Sequence, residues 1–102
     1  NRLNQLFVDI VRASGGNNAD RFLLIPGYNT DTALTCDERF RLPEDTVDDH
    51  LIVSIHYYSP AEFVLAEHDS DWCTPVDVWG SDEEVAAVEA IYQEARTMSV
   101  AQ

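Results

Sequence analysis

Apolar positions follow two rhythms along this chain. Leu3, Leu6, Phe7, Ile10 and Val11 recur at the spacing of a helix with one apolar side, and Gly15 and Gly16 follow where a left-handed cap is wanted. This predicts an amphipathic helix ending near Ser14. Asn17, Asn18, Ala19 and Asp20 make a polar turn, and Arg21 to Ile25 then reads as a short apolar strand stopped by Pro26 and Gly27. Leu51 to Tyr57 reads as a second strand. Its nearly unbroken apolar run with β-branched members is the pattern of a strand buried on both faces, the habit of parallel sheets. At the far end, Ser81 followed by Glu84 is a capping box, Asp82 and Glu83 suit the positive end of a helix dipole, and Val85, Val88, Ile91, Tyr92, Ala95 and Met98 form one stripe. The closing helix is predicted from Asp82 to Thr97.

Two polar stretches separate these elements. Tyr28 to His50 is irregular apart from a helical turn around Thr32 to Cys36, and Ser59 to Gly80 is a second irregular segment. Both leave the carboxyl ends of strands. Strands of this buried type joined by a long connection are expected to lie parallel with a right-handed crossover. The predicted fold class is therefore α/β, two parallel strands with flanking helices. Two strands leave both sheet edges open, so the chain reads as a slice of a larger parallel sheet or barrel, with exposed edges that favour self-association.

Composition narrows the classes of partner. The chain has 102 residues, enough for one domain, and 45% hydrophobic content is too much for a disordered segment. Its six basic residues, all Arg, stand against 19 acidic ones for a formal net charge of −13. Such a surface repels phosphate backbones and anionic lipid, so no nucleic acid or membrane partner is expected. No apolar stretch approaches the roughly 20 residues that span a bilayer, and the amino end lacks a signal-peptide pattern. Asn1 lies inside a predicted helix and Gln102 directly follows another, so both ends are expected to be cuts.

The strand Leu51 to Tyr57 delivers His56, Tyr57 and Tyr58 to its carboxyl end. In α/β barrels the groups that act on substrate sit there, although His56 and Tyr58 could equally cap a strand. Cys36 and Cys73 are too few and too far apart for a zinc box; one disulfide and two free thiols both remain open. His68, Asp69, Asp71 and Cys73 match no established metal spacing, so no metal is expected, and no cofactor. Asp69 with Asp71, or Glu62 with Glu67, lie in an acidic loop with no buried flank to split their pKa values, so a solvated loop accounts for them better than acid/base chemistry. Trp79 offers a flat aromatic face to a ligand or packs over the start of the last helix, and Trp72 suits either role.

The stretch NQLFVDIVRASGGNNADRFLLIPGYNTD, the strand end HYYSPAEF and the later VWGS together resemble the middle of glycoside hydrolase family 5. Within it they look most like bacterial and rumen cellulases acting as endo-β-1,4-glucanases. The resemblance implies a (β/α)8 TIM barrel of which this chain is a partial piece, with Arg21 to Pro26 as the fifth strand and Leu51 to Tyr57 as the sixth. It implies that His56 lines the catalytic centre, that the Tyr58 hydroxyl holds the nucleophilic carboxylate, and that Trp79, Tyr28 and Asn29 are candidate substrate contacts. The implied partner is a β-glucan polysaccharide or oligosaccharide, and the implied parent is extracellular. In the family the acid/base Glu ends the fourth strand and the nucleophile Glu ends the seventh. Both are expected to lie outside this chain, which alone is expected to be inactive. A different reading is a small acidic α/β module, holding a glycan through Tyr28, Trp72 and Trp79 or acting in protein interaction.

Overall fold

A computed structural model describes residues 1–101. Helix α1 spans Arg2–Ala13, a single 3-10 turn covers Gly16–Asn18, and strand β1 runs Leu23–Asp31. Helix α2 (Thr32–Cys36), strand β2 (Leu51–His56), the short helix α3 (Ala61–Val64) and helix α4 (Asp82–Ala101) follow. β1 and β2 pair in parallel, with Leu23 opposite Leu51, Ile25 opposite Val53 and Pro26 opposite Ser54. The register then breaks and resumes at Asp31 opposite His56. β1 thus runs past Pro26 and Gly27, which the sequence reading took as its stop. Pro26 has no N–H to give and the register breaks directly after it, while its carbonyl accepts from Asn4 Nδ2 at 2.8 Å.

Burial alternates along β1: Leu23 and Ile25 are buried while Leu24 is 64% exposed. On β2, Leu51 and Val53 pack against the core and Ile52 is exposed. One sheet face is covered by helices, and Leu24 and Ile52 on the other are exposed, as expected for a slice of a larger sheet. The core gathers Val8 of α1, Leu23, Ile25, Phe40 and Met98 of α4. In α1, Val8 is buried and Val11 packs against the core, while Leu3, Leu6, Phe7 and Ile10 face outward. Along α4 the partly or fully buried positions are Glu84, Val88, Ile91, Ala95 and Met98, while Val85 and Tyr92 are exposed.

The motif around GGNN is an anchor. Arg12 makes a bidentate ion pair with Asp45 at 2.7 Å, both side chains nearly buried, and its Nη1 also donates to the Asn18 and Arg21 carbonyls. Arg21 Nε donates to Asn18 Oδ1, and Asn18 Nδ2 to Ser14 Oγ. Gln5 bonds the Glu44 main chain in both directions, and Asn1 does the same for Arg39 and Arg41. The polar face of α1 therefore holds the segment that reads as irregular from sequence, in which Phe40 and Pro43 are buried. Cys36 and Cys73 are both free thiols, so the disulfide alternative falls away.

Candidate functional site

β2 ends at His56, and Tyr57, Tyr58 and Ser59 continue from it into a cleft of about 370 Å³. The opposite lining is Asn29, Thr30, Asp31, Thr32 and Ala33 from the end of β1 and the start of α2, with Ile91 of α4 closing one side. The cleft sits at the carboxyl ends of both parallel strands, where substrate-handling groups of barrels are found. His56 is exposed and Tyr58 is 51% exposed, and their rings meet edge to face with centroids 5.9 Å apart and planes at 85°. Both side chains line the cleft.

The β1 side is shaped by backbone constraint. Asn29 and Thr30 hold φ values of 57° and 56°, the left-handed region that a β-branched Thr adopts at a cost of about 1–3 kcal/mol. Thr35 of α2 holds this turn: its hydroxyl donates to the Asp31 carbonyl at 2.6 Å, and its side chain fills the space where a Gly27 Cβ would stand. The Asp31 carboxylate accepts from the Leu34 amide at 2.9 Å, capping α2. It is the acid in the cleft lining.

The structure brings together His56, Tyr58 and Asn29, three of the residues singled out from sequence. Tyr28 is 82% exposed and lines the adjoining depression of about 470 Å³ with Asn4, Asp37, Arg39 and Phe40, into which Asn29 also reaches. Trp79 is 38% exposed and lies outside the cleft lining. Sequence reading missed Thr32, Thr35 and Asp31. The run Asp-Thr-Ala-Leu-Thr carries a helix N-cap signature that would have placed Asp31, but which carbonyls the hydroxyls reach depends on the fold. Among the described residues no group of His, Cys, Asp and Glu is arranged to hold a metal ion, and no helix is long and apolar enough to cross a membrane.

The family described as Cellulase (glycosyl hydrolase family 5) matches residues 1–100. Endoglucanase 1 of Ruminococcus albus is 44% identical over 77 residues, covering 76% of this chain and 18% of that enzyme. A broad-specificity endoglucanase of subfamily GH5-4 from an uncultured bovine rumen ciliate superposes with a TM-score of 0.81 at 38% identity, covering 94% of this chain and 30% of that one. A Caldicellulosiruptor lichenase solved with cellotetraose gives a TM-score of 0.82 at 33% identity, over 92% of this chain and 26% of its own. The chain spans less than a third of the length of each. Its two parallel strands and their helices match part of the TIM barrel of these enzymes.

Proposed function

The chain belongs to glycosyl hydrolase family 5, and from that membership we propose that it forms one wall of a β-1,4-glucan-cleaving site in a larger secreted enzyme. The observation that carries this reading is the pairing of His56 and Tyr58 over an open cleft at the carboxyl ends of both strands. The similar proteins named above include endoglucanases and a lichenase bound to cellotetraose, which supports a β-glucan as the substrate. A polymer of this kind is met outside the cell, which supports an extracellular parent.

On this reading the chemistry is retaining hydrolysis, in which one carboxyl protonates the leaving oxygen and a second, about 5 Å away, forms the glycosyl-enzyme intermediate. Asp31 is a poor substitute for either, since its carboxylate is committed to the α2 cap. The two catalytic Glu residues are assigned to the preceding and following strands of the parent. His56 then hydrogen-bonds a hydroxyl of the reacting sugar, and the Tyr58 hydroxyl donates to the nucleophilic carboxylate, holding it ionised and aimed. Asn29 contacts sugar from the opposite wall, and Tyr28 and Trp79 offer stacking faces farther out.

The test is Tyr58→Phe in the full-length enzyme, assayed on lichenan and cello-oligosaccharides. Turnover is expected to fall on the order of tenfold or more with the circular dichroism and melting temperature unchanged, because only the orienting hydroxyl is lost. Full turnover in this variant would remove the assigned role. The 102-residue chain alone is expected to release no reducing sugar from the same substrates.

A further inference from the structure

We propose that Thr32 is a positioning residue that fixes His56 in the cleft by holding its backbone carbonyl from the opposite wall. The sheet ladder fails just before His56: β1 residues 27–30 have only Ile55 opposite them between the Pro26–Ser54 and Asp31–His56 rungs. A strand end with an interrupted ladder is free to fray, and the imidazole it carries moves with it. Thr32 replaces the missing restraint. It is 6% exposed, and its hydroxyl donates to the His56 carbonyl at 2.9 Å, across 24 residues of chain.

Thr32 is itself held. Asp31, its neighbour, caps α2 through Leu34, and the fully buried Thr35 donates to the Asp31 carbonyl and closes against Gly27. The left-handed pair Asn29 and Thr30 is the bend that lets β1 bring Thr32 to this place. A strained turn, a glycine contact and two buried hydroxyls thus converge on one rung, the rung that bears the candidate sugar-binding imidazole. Displacement of a reacting-site group by about 1 Å can cost on the order of a hundredfold in rate, so a bond of this kind is expected to register in turnover.

This inference rests on the reading of His56 as a member of the sugar-cleaving site, and the experiment separates the two. Thr32→Val, Thr32→Ser and His56→Ala are made in the full-length enzyme and assayed with an aryl β-cellobioside at a temperature where each is folded by circular dichroism. Thr32→Val keeps the shape and loses the donor; kcat is expected to fall about tenfold with KM changed less than about twofold. Thr32→Ser keeps the donor and is expected to stay within about twofold of the parent in both constants. A merely structural role would move both variants with their melting temperatures, without this split. Wild-type kcat in Thr32→Val overturns the inference, as does a loss in Thr32→Ser equal to that in Thr32→Val. If Thr32→Val does not fold, a drop beyond tenfold in Thr32→Ser overturns it and near-parental kcat in Thr32→Ser beside a tenfold loss in Thr32→Ala supports it. Unchanged kcat in His56→Ala overturns the reading of the site itself; a loss there with none in Thr32→Val overturns only the role of Thr32.

Discussion

Gly27 is the residue whose replacement has the plainest consequence. A Cβ there would lie 2.0 Å from Thr35 Oγ1 and 2.9 Å from Thr35 Cα, so a change of the neighbour's side chain alone does not make room. In the full-length enzyme, Gly27→Ala is expected to destabilise the fold by about 3 kcal/mol, and Gly27→Ala with Thr35→Ala to recover only part of that, both read from urea unfolding. The Arg12–Asp45 pair makes a second prediction, on pH. The guanidinium of Arg12, through its hydrogen bonds, holds the Asp45 carboxyl below its ordinary value, against the opposing effect of burial. An unfolded Asp titrates near about 3.9, so the stabilisation is complete above that value and is lost as pH falls below about 4 through the lowered folded-state pKa. Unfolding free energy of the full-length enzyme, measured from pH 6 to pH 2, should fall along this course, and Asp45→Asn should lack that component. Asp37 sits at about 2 through its hydrogen bonds with Arg39, but Arg39 is 80% exposed and the pair adds little to the fold.

At the scale of elements, α4 begins with the capping box that its sequence announces. Glu84 Oε2 accepts from the Gly80 and Ser81 amides and the Ser81 hydroxyl, and the Glu84 amide donates back to Ser81 Oγ at 3.3 Å. Ser81→Ala is expected to weaken the first turn by about 1 kcal/mol, visible as faster amide exchange there with the rest of α4 unchanged. α1 behaves differently. Its polar side is committed to the segment 39–45 and to Pro26, while its apolar residues Leu3, Leu6 and Ile10 are more than half exposed. Periodicity located this helix, but within the chain only Val11 of its stripe packs against the core, because a hydrophobic stripe tells that a face will be covered and not by what.

For the whole molecule, shape carries the argument. The Cα radius of gyration is 17.3 Å, against about 13 Å for a compact domain of this length. The accessible surface is 7698 Å², whereas the size scaling of folded monomers gives about 5,800 Å². The excess lies where Leu24 and Ile52 face away from the helices and where α1 and α4 show apolar residues such as Leu3, Ile10 and Tyr92. These are surfaces that neighbouring strands and helices cover in a complete barrel. The 102-residue chain on its own is expected to self-associate or to melt without cooperativity, measured by sedimentation and by calorimetry. A cooperative monomeric transition would show that the small core around Ile25 suffices.

Local pattern alone determined the α1 and α4 helices, the two strands and their order, since periodicity, caps and Gly or Pro punctuation act over a few residues. It also marked His56 and Tyr58, because an apolar strand that ends in titratable rings is unusual in itself. Where β1 stops, how the segment after it is ordered, and which walls the cleft has were decided by the tertiary structure. Those outcomes depend on partners far apart in sequence: Arg12 with Asp45, Asn4 with the Pro26 carbonyl, Thr32 with the His56 carbonyl. A hydroxyl or a carboxylate in a sequence shows what it can bond. Only the packed chain decides which unmet carbonyl stands within reach.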